Sequence, residues 1–391
     1  MRKLFYEDPH LQTFSATVTG CDAVEGGYRV TLNATAFYPE GGGQACDTGV
    51  LGTARVLDVR EQGEEILHLC DAPLEVGTVV EGRIDWDRRF DLMQQHTGEH
   101  IISGLIHEKF GYHNTGFHVG RDVMEVDFDG PISPEALAEL EAKANAAIWA
   151  NIPLKCWIPS PEELETVVYR TKRSLPWPVR IVQVPGFDSC ACCGIHVGST
   201  GEVGVIKILS CVKFHGGVRL EMVCGGRAYR YLCAVFDQNR QVSQAFSAKI
   251  LETADAARKI KDALAAEKFR GAELQKQVFA GIARSYSGQQ NVLHFASELE
   301  PGQVRLLADA IAAECTGYAA VFSETDTGCS YCLASRTEDL RPLGKALTAA
   351  LNGRGGGKPE FQQGSVRAAK EEIVAFFGKN QVFVACVNSF R

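Results

Sequence analysis

Hydrophobic and polar positions alternate in short steps at the start of the chain. Phe14–Thr19, Tyr28–Leu32 and Val79–Ile84 are alternating or β-branched runs punctuated by Gly, Asp and Pro. They predict a small β-barrel or sandwich over residues 1–88. The period then changes. Leu92, Met93, His96, His100, Ile101 and Leu105 recur at three- and four-residue steps, which predicts a helix from about 87 to 110. A strand at Val123–Phe128, a helix opened by Pro134 and running to about Asn151, and strands at 179–184, 204–209 and 218–223 complete an α+β segment, 89–228. Residues 229–284 hold little Gly and no Pro, and Leu251, Ala254, Ala257, Ile260 and Leu264 trace one helical face. A long helix or helical hairpin of coiled-coil character, acting as a spacer, is expected there. Over 285–391 the pattern alternates again: strand 292–295, helix 301–314, strands 318–322 and 330–334, helix 339–350, a Gly-rich loop, helix 366–377 and a closing strand, Gln381–Val387. That is a compact α/β domain, so the fold class is multidomain α+β with four segments.

Composition changes this picture little. A length of 391 residues exceeds one compact core, and 45% hydrophobic with 23% charged residues is ordinary for a globular protein. No run approaches the roughly 18 apolar residues of a membrane span. Met1–Asp8 carries no apolar signal region, so a cytoplasmic protein is expected. Of the 14 cysteines, only Cys190, Cys192 and Cys193 cluster, which suits buried thiols or metal ligands better than a disulfide framework. A net charge of −8 weighs against a nucleic-acid partner, although Tyr169–Arg173 through Arg180 and Gly353–Lys358 are locally basic. Each patch reads equally as a solvated face or as an RNA contact.

Two short motifs carry the chemistry. His96 and His100 stand at i and i+4 and share a helix face; Cys192 and His196 repeat the spacing about a hundred residues later. Three imidazoles and a thiolate are the ligand set of tetrahedral Zn²⁺. Cys190 and Cys193 compete with Cys192, which is favoured because its spacing to His196 mirrors the first pair. Thr97 follows His96, so the arrangement is not the metalloprotease H-E-x-x-H. A closed structural zinc and an open catalytic one both fit. Phe37–Gln44 contains Gly41-Gly42-Gly43 without a Walker lysine or a G-x-G-x-x-G spacing, which reads as a tight β-turn rather than a phosphate cradle.

Phe37 to Gly49, His96 to His100 and Cys192 to His196, in this order, resemble the editing domain of alanyl-tRNA synthetase, and still more the free-standing alanyl-tRNA editing proteins of the AlaX type. The family pattern is a Cys followed by two glycines, a Thr and a His; here Cys193 and Ile195 replace the first Gly and the Thr. Gly353–Pro359 with Gln363-Gly364 is similar to the Gly-rich signature of the synthetase's C-terminal domain, as in the large form of the editing protein. The resemblance implies ATP-independent, zinc-dependent hydrolysis of the ester in tRNA(Ala) mischarged with Ser or Gly. Under it Thr97 and Thr115 are candidates to contact the serine hydroxyl. Gln44 and the backbone of Gly41, Gly42 and Gly43 are candidates for the tRNA end or the aminoacyl group, and Arg354 and Lys358 for RNA. It also implies a homodimer formed through the spacer and the C-terminal domain. For Glu99 two readings stand, a general base and a simply solvent-facing side chain, and no strong general-base candidate is found. The rival readings are a noncatalytic tRNA-binding protein with a structural zinc, and a metal-dependent phosphoesterase, which would need an Asp-His-His motif that the chain lacks.

Overall fold

The computed structural model describes residues 1–171, 177–325, 328–378 and 383–384. The multidomain α+β class holds, with the chain dividing into two compact units, Met1–Val242 and Ser243–Arg391. No helix among the described residues is long and apolar enough to cross a membrane.

In the first unit, strands Thr13–Val24, Gly27–Leu32, Glu65–Cys70, Ala54–Gln62, Gly49–Leu51 and Val79–Ile84 close, in that ring order, into a barrel. The period-2 alternation sends Phe14, Ala16 and Val18 inward from the first strand and Val30 and Leu32 from the second. Register shifts at Val18/Gly20 and at Val56/Asp58 are the bulges that bend strands enough to close a ring of this size. The barrel shares one continuous core with the α+β segment. There, strands Ile206–Phe214, Gly217–Cys224, Met124–Phe128 and Asn114–Val119 form an antiparallel sheet, and Lys155–Trp157, Ile181–Val184 and Asp188–Ala191 form a second.

The helix that bears His96 and His100 runs Trp86–Phe110. Asp85 caps its start, its side chain accepting from Arg88 N, and Gly111 at φ 71° ends it in the left-handed region. Every residue from Leu92 to Ile106 is buried, polar ones included. This is not the one-faced helix that the three- and four-residue steps predict, and its buried polar groups must each find a partner.

Residues 229–284 resolve into two helices, Gly225–Ala245 and Thr253–Arg284. Ser247 at φ 49°, with Ala248 N donating to Ser243 O at 3.0 Å, stops the first.

The second unit holds a six-stranded mixed sheet in the order Arg354–Lys358, Phe361–Val366, Gly328–Ser335, Tyr318–Thr325, Val292–Ala296, Phe383–Val384. Helix Pro301–Glu314 makes the crossover between the parallel pair Val292–Ala296 and Tyr318–Thr325. The expected Gly-rich loop is instead the edge strand Arg354–Lys358, paired antiparallel with Phe361–Val366. A Cβ on Gly355 would fall 2.3 Å from the Tyr331 hydroxyl, so glycine is what lets this strand lie close. Of the expected closing strand only 383–384 is described; the rest of 381–387 lies outside the described residues.

Candidate metal centre and its cavity

His96 and His100 project from the buried helix, and Cys192 and His196 from the loop that follows strand Asp188–Ala191. One potential ligand atom from each of the four falls within 4.8 Å of the others. Cys192 Sγ lies 3.4 Å from His96 Nε2 and 3.6 Å from His196 Nε2.

Each imidazole is held by its other nitrogen. His96 Nδ1 meets Gln44 Oε1 at 2.8 Å, His100 Nδ1 meets Asp188 Oδ2 at 2.9 Å, and His196 Nδ1 meets Thr97 Oγ1 at 3.2 Å. With Nδ1 donating to these oxygens, each Nε2 is left a lone pair aimed at the shared space. Such outer hydrogen bonds orient metal-ligating histidines. Arg170 braces Asp188 through two bonds of 2.7 and 2.9 Å. The loop carrying Cys192 is clamped as well: Arg180 donates to the carbonyls of Cys192 and Gly194 at 3.0 and 2.7 Å, and the Tyr6 hydroxyl donates to that of Cys193 at 2.7 Å. Gly194 has no room for a side chain, since a Cβ there would lie 2.1 Å from His96 Cε1.

Electrostatics agree with this donor set. Burial alone would raise the Cys192 thiol, but the charge of His96 and hydrogen bonds with His100, His196 and His96 hold it well below the ordinary thiol value. Burial and the charge of His96 keep His196 well below the usual imidazole range. Burial opposes charge on His100 too, yet Asp188 and Cys192 raise it well above that range, so a metal ion would displace its proton. Thiolate and imidazole nitrogens at this spacing fit a borderline-soft divalent ion.

A cavity of about 1090 Å³ opens beside the cluster, and His96, His100 and Cys192 are among its lining residues. Gly42, Gly43, Glu99, Asn114, Thr115 and Phe117 line it too, as do Arg170, Asp188 and Cys190.

The remaining candidates are placed as follows. Gly41 and Gln44 exchange backbone hydrogen bonds at 3.0 and 3.1 Å, closing a tight turn with Gly42 at φ 60° and Gly43 at φ 83°. Cβ atoms on Gly42 and Gly43 would meet Cys193 Sγ at 3.0 Å and Phe117 Cδ1 at 2.6 Å. The Gln44 side chain is buried: Oε1 takes His96 and the Ile195 N–H, and Nε2 has no partner among the described residues. Thr97 is buried, its hydroxyl engaged with His196 Nδ1 and Val197 N. Thr115 is exposed at the cavity wall, its hydroxyl donating to the Asp127 carbonyl at 3.3 Å. Cys190 falls into a second possible donor group with His100 and Asp188, while Cys193 faces the glycine turn. Arg354 and Lys358 lie exposed on the edge strand of the second unit. Glu99 does not face solvent, being only 5% exposed, because the helix is covered on all sides. Within the basic stretch 169–180, residues 172–176 lie outside the described residues, and Arg170 and Arg180 are spent on internal bonds rather than on a solvated face.

Sequence reading missed Asp188, Arg170 and the burial of Glu99. One signal for the last was available: between Leu92 and Ile106 Glu99 is the only charged residue.

Comparison with known proteins locates these features in a family context. The family model described as the Threonyl and Alanyl tRNA synthetase second additional domain matches residues 179–220, which hold the Cys192–His196 loop. That of tRNA synthetases class II (A) matches residues 10–88, the barrel. The chain is 31% identical to an Alanine–tRNA ligase of Thermofilum pendens over 94% of its own length and 42% of the ligase. It therefore spans less than half of that relative. It is 27% identical to the Alanyl-tRNA editing protein Aarsd1 of Danio rerio over 92% of this chain and 93% of that one, and 28% identical to its Mus musculus counterpart over 93% and 94%. Among solved structures, the C-Ala domain from Aquifex aeolicus alanyl-tRNA synthetase covers 23% of the chain at 19% identity with a TM-score of 0.21, too low to carry an argument. The resemblance to alanyl-tRNA editing proteins is borne out over most of the chain.

Proposed function

We propose that the protein edits in trans, hydrolysing the ester that joins serine, and also glycine, to tRNA(Ala), with Zn²⁺ held by His96, His100, Cys192 and His196. The observation that carries this reading is a preorganised His₃Cys cluster, three of whose members, His96, His100 and Cys192, line a large cavity. A structural zinc is commonly sealed on all sides, and this one would face open space. Bound zinc supplies Lewis acidity for polarising an ester carbonyl.

The chain's own residues supply the rest. Gln44, Asp188 and Thr97 fix the three rings, and Arg170 in turn fixes Asp188. Thr97 therefore acts through His196, while Thr115 at the cavity wall is the better placed to meet the hydroxyl of a seryl group. The turn Gly41–Gly43 presents the backbone of Gly42 and Gly43 to the cavity, suited to the terminal adenosine or the aminoacyl group. A synthetase pocket that accepts alanine discriminates weakly against one added hydroxyl or one missing methyl, which is why a second, hydrolytic site is needed.

In this reading residues 1–88 and 89–228 form the editing half, 229–284 the spacer, and 285–391 a tRNA-binding and dimerising domain that uses Arg354 and Lys358. The reaction is cytoplasmic and needs no ATP. The test is direct. The zinc-loaded protein, incubated with Ser-, Gly- and Ala-charged tRNA(Ala), should release serine and glycine and spare alanine, and His100→Ala should abolish release. Serine loss no faster than without enzyme sinks the proposal.

A further inference from the structure

The cavity contains a second polar feature that the metal cluster does not use. Glu99 is a buried carboxylate, and its Oε1 accepts from Ser103 Oγ and Asn114 Nδ2, both at 2.5 Å. Its Oε2 receives no hydrogen bond from the described residues and lies 3.9 Å from His100 Nε2, the nitrogen that faces the cluster. Asn114 is only 6% exposed; its Nδ2 is spent on Glu99 and Ser103, and its Oδ1 has no partner among the described residues. Both side chains line the cavity.

Asn114 Oδ1 is a buried acceptor without a donor among the described residues, which costs free energy unless a ligand brings one, and beside it the free oxygen of the Glu99 carboxylate is turned to the cavity. The ligand that suits them is a small cation with several N–H groups. An aminoacyl ester carries such a group: its α-ammonium is two bonds from the ester carbonyl carbon. Glu99 is next in sequence to His100 and reaches the same space, so a carbonyl placed at the cluster sets its α-nitrogen beside Glu99.

We infer that Glu99 Oε2 and Asn114 Oδ1 form a seat for the α-ammonium of the aminoacyl group, making a free amino terminus a condition for cleavage. This rests on the editing reading above. The seat does not separate serine from alanine, since both carry the same ammonium. It separates aminoacyl-tRNA from tRNA whose amino acid is acylated, as in a growing peptide. An amide nitrogen is uncharged, has one N–H, and brings a carbonyl oxygen toward a carboxylate. Sites built to hydrogen-bond a polar group reject analogues lacking it by large factors.

The test compares Ser-tRNA(Ala) with N-acetyl-Ser-tRNA(Ala) on the zinc-loaded wild-type protein, which needs no variant to fold. The acetylated substrate should fall at least ~100-fold in kcat/KM. Glu99→Gln, checked for zinc content and melting temperature, should slow the free-amine substrate and shrink that ratio. Calorimetry with a non-hydrolysable 3′-seryl-amido-adenosine and its N-acetyl form should show the wild type preferring the free amine, and Glu99→Gln losing the preference. Equal cleavage of both substrates, or a Glu99→Gln effect of the same size on both, overturns the seat and leaves editing standing. If neither substrate is cleaved the editing reading falls, and equal binding of the two adenosine analogues then overturns the seat as well.

Discussion

Gln44 can be tested for two distinct roles. If it reaches the tRNA end, its removal should raise KM and leave the metal alone. The geometry argues otherwise: Oε1 takes His96 Nδ1 at 2.8 Å and Ile195 N at 3.3 Å, tying one ligand to the backbone of the loop that carries two others. Gln44→Ala deletes both bonds, leaves a buried N–H on Ile195 unpaired, and frees the His96 ring to rotate. Net hydrogen-bond contributions of about 1 kcal/mol each, with the cost of an orphaned donor, put the loss at roughly 2 kcal/mol. Removing outer partners of metal ligands costs about 10–100-fold in affinity, or ~1.4–2.7 kcal/mol, which agrees. Gln44→Glu retains an acceptor for His96 and should restore most of the affinity. The assay is competition for zinc against a chromophoric chelator on the wild type and both variants, with KM for charged tRNA measured at saturating metal. An unchanged zinc affinity in Gln44→Ala together with a raised KM would refute the positioning role and return Gln44 to the substrate.

Three further outcomes follow from packing and charge. Gly194→Ala would place a Cβ 2.1 Å from His96 Cε1 and should lower zinc affinity more than tenfold in the same competition; an unaffected affinity would mean that the loop yields freely. His68, buried in the barrel against Thr35 and the Val30 carbonyl, is pushed down to about 4 by burial. Its contribution is therefore intact above the unfolded value of ~6.5 and lost as pH falls toward about 4, a drop of about 2–3 kcal/mol by pH 4.5. Urea unfolding of the first unit at pH 7 and 4.5 should show that drop in the wild type and lack it in His68→Gln; equal pH sensitivity in both would exclude His68 as its source. Arg89, fully buried, pairs with Asp47 and donates to the carbonyls of Pro9 and Ala36, tying the glycine-turn segment to the His-bearing helix. Arg89→Met should cost about 3–5 kcal/mol of unfolding free energy, and a cost under ~1 kcal/mol would contradict a tightly coupled pair.

What could be read ahead of the structure follows a physical rule. His96 and His100 were legible because i, i+4 spacing on a helix is local: two side chains one turn apart meet whatever the rest of the chain does. Cys192 and His196 lie on a loop, and only their residue types at the matching spacing marked them. Helix Pro301–Glu314 and strand Val79–Ile84 were legible with their bounds for the same reason, since caps and alternation are local signals. The partners that give the cluster its chemistry are not local. Asp188 reaches His100 across 88 positions, and Gln44 reaches His96 across 52, through a turn whose glycines read only as a turn. Glu99 failed for a related reason. Periodicity assigns a helix one wet face, and a helix packed against a second helix and strands of two sheets has none along Leu92–Ile106. The Gly-rich run 353–358 failed in the opposite sense: glycine carries no side chain to alternate, so a strand made of it is silent until its partner Phe361–Val366 is seen. For Asp188, Gln44 and Glu99 the deciding contact is long-range, and the buried polar residue is the trace it leaves in the sequence. A lone carboxylate among uncharged residues, as at Glu99, is such a trace, and here it leads from the metal cluster to the place where the substrate's amino group would bind.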